Sequence, residues 1–205
     1  MTDERSAPAL DLEALRPWIG RSETAHDTIT RRLEASFRAS LDRAPGQPAI
    51  GDPATLGLHW YLAPPIVQMA ALGDDGHPRR AGFLPPVPLP RRMWAGGELA
   101  FDAPLQVRDA VTRTSQIKDV TIKEGRSGPM CFVTVRHSWA TERGPALEER
   151  QDIVYRAANA ARPAAAVRAE VSLPQASRQR VWPCDPLLLF RYSALTFNGH
   201  RIHND

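Results

Sequence analysis

The sequence predicts an α+β fold, one amphipathic helix followed by an antiparallel meander, on two observations. The first is a stripe: Ile29, Leu33, Phe37 and Leu41 stand four residues apart and share one helical face. The second is a string of β-branched segments between Ala95 and Arg156, separated by Gly, Pro and Arg turns. With 42% of its 205 residues apolar, the chain holds enough hydrocarbon for an ordinary core.

In chain order, the helix is predicted over residues 28–42, opened by a capping side chain at Asp27 or Thr28. From Pro45 to Arg92 Pro and Gly are frequent, and Phe83-Leu84-Pro85-Pro86-Val87-Pro88-Leu89-Pro90 excludes a regular helix. An ordered excursion of this length is expected to serve function. Within it, His59, Trp60 and Tyr61 either line a ligand pocket or pack as an aromatic cluster. Strands are predicted at residues 98–102, 107–118, 119–123, 131–137 and 151–155.

Residues 157–179, rich in Ala, Arg and Pro with little periodicity, read as a linker between an amino-terminal unit, residues 1–156, and a second unit opening at residue 180. A second helix is predicted at residues 187–195. It shares Phe-Arg-x-Ser with the first, as Phe37-Arg38-Ala39-Ser40 and Phe190-Arg191-Tyr192-Ser193, which predicts an internal duplication. A complete second unit needs about 70 residues more than follow, so the chain is expected to be part of a longer protein.

Charge narrows the function classes. The 26 Lys and Arg are spread among 23 Asp and Glu for a net +3, and no basic block marks a nucleic-acid or membrane surface. No apolar run reaches the roughly 18 residues of a membrane span. Met1-Thr2-Asp3-Glu4-Arg5 lacks the basic start and apolar core of a signal peptide, so the expected address is the cytoplasm. Cys131 and Cys184 have no partner at metal-ligand spacing and are expected to be buried free thiols, with no metal. His26, His77 and His137 carry no partner pattern and receive no role.

The chemistry concentrates in the last sixteen residues, where two His, two Asn, two Arg, an Asp and a Gly stand after an apolar run. Asn198-Gly199-His200-Arg201-Ile202-His203, after Tyr192-Ser193-Ala194-Leu195-Thr196-Phe197, resembles the active-site segment of the hydroxyacyl-thioester dehydratase type 2 group of MaoC-like, double hot-dog hydratases. Two further stretches carry the likeness: Pro90-Arg91-Arg92-Met93-Trp94-Ala95-Gly96-Gly97 with Phe101-Asp102-Ala103-Pro104-Leu105, and Ile117-Lys118-Asp119-Val120 with Lys123-Glu124-Gly125-Arg126-Ser127-Gly128. Within the group the chain is most similar to mesaconyl-CoA and itaconyl-CoA hydratases, which interconvert these esters with citramalyl-CoA. The resemblance implies two hot-dog units, each an antiparallel sheet around a long helix, the first catalytically degenerate. It implies an acyl-CoA substrate, no cofactor and, through unpaired sheet edges, a homodimer.

Adding water across a 2-enoyl thioester needs a base for the water, an acid for the α-carbon and a donor for the enolate oxygen. In the wider MaoC-like family the motif runs Asp-x-Asn-Pro-Leu-His, and matching its final His to His203 puts Asn198 where the Asp stands. An amide is no base at neutral pH. Asn198 is therefore assigned to orienting water and His203 to moving the proton. Asp205 would hold the His203 tautomer, and the Gly199 N–H would face the thioester carbonyl. Arg191, Tyr192, His59, Trp60, Arg91 and Arg92 are the substrate-binding candidates, the paired arginines for CoA phosphates. Two other functions stay open on sequence: dehydration of 3-hydroxyacyl groups on acyl carrier protein, and a non-catalytic module that binds acyl thioesters.

Overall fold

The computed structural model describes residues 10–79, 82–125, 128–157 and 174–203. Five strands form one sheet: β1 (Ser22–Thr28), β2 (Arg91–Phe101), β3 (Ala110–Gly125), β4 (Gly128–Thr141) and β5 (Gly144–Arg156). Their order is β1-β3-β4-β5-β2, and every pairing is antiparallel. The helices are α1 (Leu12–Leu15), α2 (Arg31–Ser40) and α3 (Pro186–Leu195).

The first helix starts later than predicted because Asp27 and Thr28 belong to a strand, β1, paired with Val111 and Ala110 of β3. Thr30 is the cap, its hydroxyl accepting the Leu33 N–H at 3.0 Å. The segments predicted at 107–118 and 119–123 are one strand, β3, with a bulge between Ile117 and Asp119. That extra residue lets Ile117 and Val120, three apart, both point into the core. The segment predicted at 98–102 is only the end of β2, which begins at Arg91.

One face of the sheet is apolar at both ends and polar between. At one end Ile117, Val120, Cys131, Val133, Ile153 and Tyr155 pack against Leu15 of α1 and against Val87 and Leu89 of the proline-rich stretch. At the other end Val111, Trp139 and Leu147 pack against Ile29, Phe37 of α2, and Leu58, Tyr61 and Leu62. Ser115, His137 and Glu149 lie directly cross-strand between the two clusters. Ser115 Oγ hydrogen-bonds His137 Nδ1 at 2.8 Å, and His137 Nε2 meets Gln151 Oε1 at 3.2 Å, so this middle row is internally paired.

Three carboxylates hold the long excursion and the sheet's turns in place. Buried Glu34 accepts from both the backbone N–H and the hydroxyl of Thr55, at 3.0 and 2.6 Å. Asp27 Oδ2 accepts the Ala63 N–H at 2.7 Å, at a residue whose φ of 49° is unusual for a side chain with a Cβ. Asp109 takes the guanidinium of Arg143 from the β4–β5 turn with both oxygens. Cys131 is buried as expected, whereas Cys184 is exposed, and both are free.

The predicted linker falls mostly on residues 158–173, outside the described residues. After it, the Arg180 guanidinium stacks 4.1 Å over Trp182 and donates to the Leu41 and Asp42 carbonyls at the end of α2. Asp185 caps α3 by accepting the Leu188 N–H at 2.8 Å, and Tyr192 and Leu195 join the second core cluster. Two side chains of the segment expected to open a second unit thus pack on the core of the first.

Candidate active site

The carboxyl-terminal segment is placed by how α3 stops. The Asn198 N–H bonds back to the Ser193 carbonyl at 2.8 Å and the Phe197 N–H to that of Ala194 at 3.3 Å, the 6→1 and 5→2 pair of a Schellman ending. Such an ending needs a left-handed residue after the cap. Here it is Phe197, with φ 52°, where glycine is usual, at a cost of roughly 1–2 kcal/mol. The strained turn throws Asn198 away from the helix axis. Asn198 Oδ1 then accepts the His200 N–H at 3.0 Å, and the His203 N–H closes on the His200 carbonyl at 3.1 Å.

A second tight turn, from the long excursion, docks on this segment. Leu72 bridges Pro78, the Gly73 N–H reaches the His77 carbonyl at 2.7 Å, and the Arg201 N–H donates to the Asp75 carbonyl at 2.9 Å. Gly76, at φ 83°, lies so close to Gly199 that any Cβ there would collide with the Gly199 carbonyl. Only glycine fits. The contact brings the His77 ring to 4.1 Å from the His200 ring, with the His203 ring 6.0 Å from His200. Asp75 Oδ2 meets His77 Nδ1 at 3.1 Å.

The electrostatics follow from this crowding. Burial acts to raise the Asp75 carboxyl, but hydrogen bonds from the ring and backbone of His77, helped by the His77 and His200 imidazoles, hold it below its usual range. Burial pulls the His77 imidazole down. The bond to Asp75 opposes that pull, while the Arg92 and His200 charges add to it. Asp75, His77 and His200 bring three donor atoms within 4.8 Å of one another. The Asp75 and His77 atoms lie 3.1 Å apart, within hydrogen-bond distance.

Beside the cluster, His203 lines an apolar cavity of about 310 Å³ with Leu41, Trp182, Leu188, Leu189 and Tyr192. The predicted residues therefore divide. His203 and Tyr192 line the cavity, Asn198 and Gly199 lie in the segment beside it, and the charge of half-buried Arg92 on β2 reaches His77. Arg91 is exposed at the start of that strand, and Arg191 is exposed on α3. His59 is in the core, ringed by Trp60, Phe101 and Trp139, so the aromatic run is a packing cluster; the Trp60 indole N–H donates to Glu149 at 3.1 Å. Asp205 lies outside the described residues. The sequence reading missed Asp75 and His77, although Asp75-Gly76-His77 repeats the x-Gly-His pattern of Asn198-Gly199-His200.

A meander ordered β1-β3-β4-β5-β2, with a helix packed on its inner face, is the arrangement of a hot-dog fold, and here a histidine segment stands beside an apolar cavity. The model of the hydroxyacyl-thioester dehydratase type 2 family matches residues 57–205, and the chain belongs to that family. It is 43% identical over 191 residues to the mesaconyl-C(4)-CoA hydratase of Chloroflexus aurantiacus, covering 92% of this chain and 67% of that one. Among solved structures it is similar to a MaoC-like dehydratase at TM-score 0.54 and 10% identity, covering 93% of this chain and 70% of the other. It is also similar to the ChsH1-ChsH2 complex of Mycobacterium tuberculosis at TM-score 0.51 and 12% identity, covering 71% and 90%. These two share the fold.

Proposed function

We propose that the protein is a hydratase that adds water reversibly to a branched five-carbon dicarboxyl 2-enoyl-CoA, mesaconyl-CoA or itaconyl-CoA, to give citramalyl-CoA. The observation that carries this reading is the 43% identity to a mesaconyl-C(4)-CoA hydratase along 92% of the chain. The geometry supports it, because a hydratase needs proton-carrying groups at the mouth of a dry acyl site. His203 stands at the edge of an open, apolar-lined hollow on which an acyl chain can lie.

In this reading the water oxygen bonds to the β-carbon, its proton leaves to an imidazole, and the double-bond electrons move onto the thioester oxygen as an enolate. His203 handles proton transfer at the α-carbon. Asn198, whose carbonyl oxygen is engaged by the His200 N–H, offers its amide N–H to the water or the enolate. Arg91 and Arg92 are the cations for the anionic groups of the ester. Residues 180–205 would open a second hot-dog unit that completes the site. The unpaired edge strand β2, which exposes Met93 and Trp94, favours a homodimer, and free Cys131 and Cys184 agree with a reducing, cytoplasmic address.

The test is a panel of mesaconyl-, itaconyl- and crotonyl-CoA followed by loss of enoyl absorbance. Turnover of the dicarboxyl esters at least tenfold above crotonyl-CoA is expected. His203→Ala should lower kcat by about 10². Equal turnover of all three esters overturns the substrate assignment, and an unchanged His203→Ala enzyme removes that ring from the reaction.

A further inference from the structure

Two turns of one design meet at the site. In Asn198-Gly199-His200 the side-chain oxygen of the first residue accepts the backbone N–H of the third at 3.0 Å. In Asp75-Gly76-His77 the same bond forms at the same 3.0 Å. Their glycines touch backbone to backbone, and their histidine rings lie 4.1 Å apart. They differ in one group: an amide at Asn198, a carboxylate at Asp75.

We propose that Asp75, acting through His77, supplies the carboxylate that Asn198 cannot, so that the 73–77 turn belongs to the proton-handling machinery of the reaction. The inference rests on the hydratase reading above. One Asp75 oxygen is fixed by the His77 N–H, and the other is 3.1 Å from His77 Nδ1. A carboxylate in that place accepts the Nδ1 proton and leaves Nε2 as the basic nitrogen. His77 then takes the proton from water as oxygen bonds to the β-carbon. The enolate so formed receives a proton at the α-carbon from His203, and His200, whose tilted ring lies 4.1 Å from that of His77 and 6.0 Å from that of His203, returns the proton from His77 to His203. One water is added and no proton is gained or lost.

The charged groups around His77 fit this role. Asp75 on its own turn favours a proton on the ring, while Arg92 from β2 and His200 from the terminal segment oppose one, with His203 beyond His200. Burial and these opposing charges together hold the ring's basicity below that of a free imidazole. Asp75 is a positioning residue, and the Gly76–Gly199 contact fixes where its turn sits.

The experiment compares Asp75→Asn, Asp75→Glu and His77→Gln with the wild-type enzyme on mesaconyl-CoA, each as a full pH–rate profile with a thermal melt. Asp75→Asn should lower kcat by about 10², leave KM within twofold and move the acidic limb to lower pH, since the ring loses the group that raises it. Asp75→Glu should recover part of kcat, and His77→Gln should match the loss in Asp75→Asn. Wild-type kcat and an unmoved acidic limb in both Asp75→Asn and His77→Gln overturn the proposal. So does a loss of kcat that tracks a collapsed melt, which makes the turn a brace, or activity lost to a chelator and restored by zinc. A wild-type enzyme inactive on every enoyl-CoA ester refutes the hydratase reading itself, a result separate from these.

Discussion

Helices α2 and α3 each run ten residues from a side-chain cap, and both contain Phe-Arg-x-Ser, yet they do opposite things with it. In α2 the phenylalanine, Phe37, is 3% exposed and packs at a tilt with its ring centre 4.7 Å from that of Tyr61, while Glu34 is buried against Thr55. In α3 the matching Phe190 is 60% exposed, as are Leu187 at 59% and Leu189 at 39%, and the buried residue is Ser193. The offset explains the difference. The motif begins at the seventh residue of α2 but at the fifth of α3, and two residues turn a helix by roughly 200°. A shared four-residue string is therefore no repeat of environment. The first helix is core, while the second is held by Tyr192 and Leu195 and by what it presents at its end.

The contrast is breakable by measurement. Phe37→Ala should cost about 3–5 kcal/mol in denaturant unfolding, because it empties a packed site among Tyr61, Leu58 and Trp139. A loss under 1 kcal/mol would mean that α2 is not the core helix. Next in size is an acid effect on the same side. Burial, with the His137 charge adding, lowers the His59 imidazole to about 4. Its folded pKa lies below the unfolded value, so the unfolded chain binds more protons between about pH 6.5 and 4. The contribution is complete above that window and is lost as pH falls through it, at about 1.4 kcal/mol per pH unit. Urea midpoints at pH 7.5, 6 and 5 should show the slope, and His59→Phe should flatten it.

Smaller effects sharpen the comparison. Thr30→Ala and Asp185→Ala remove equivalent caps and should each cost about 1 kcal/mol, alike despite the different burial of their helices. A loss at only one cap would show that the other helix is set by packing alone. Phe190→Ala should change stability by no more than about 0.5 kcal/mol. A large loss there would mean that the α3 surface is covered.

What the sequence made legible follows the same division. Residues whose periodicity serves a buried face were readable: the stripe Ile29, Leu33, Phe37, Leu41 gave α2, and alternating Cys131, Val133 and Val135 gave β4. Strand β1 was not, because Ser22-Glu23-Thr24-Ala25-His26-Asp27-Thr28 lies on a sheet edge, mostly exposed, and is held by backbone bonds that leave no mark in residue type. The cap expected at Asp27 or Thr28 falls at Thr30 for the same reason. At the site, the terminal segment was visible because its polar residues follow an apolar run. Asp75 and His77 were hidden because their place beside the segment depends on a contact between glycines more than a hundred residues apart in sequence, which no local pattern announces.

The contact between Gly76 and Gly199 has a consequence for redesign. Two main chains meeting without an intervening side chain leave no slack, so an insertion between Gly73 and His77 shifts the terminal histidines along with the loop. If the cavity takes the acyl group as proposed, an effort to change its shape should leave that junction alone and vary Leu188, Leu189 and Trp182, which line the cavity without setting the spacing of the imidazoles.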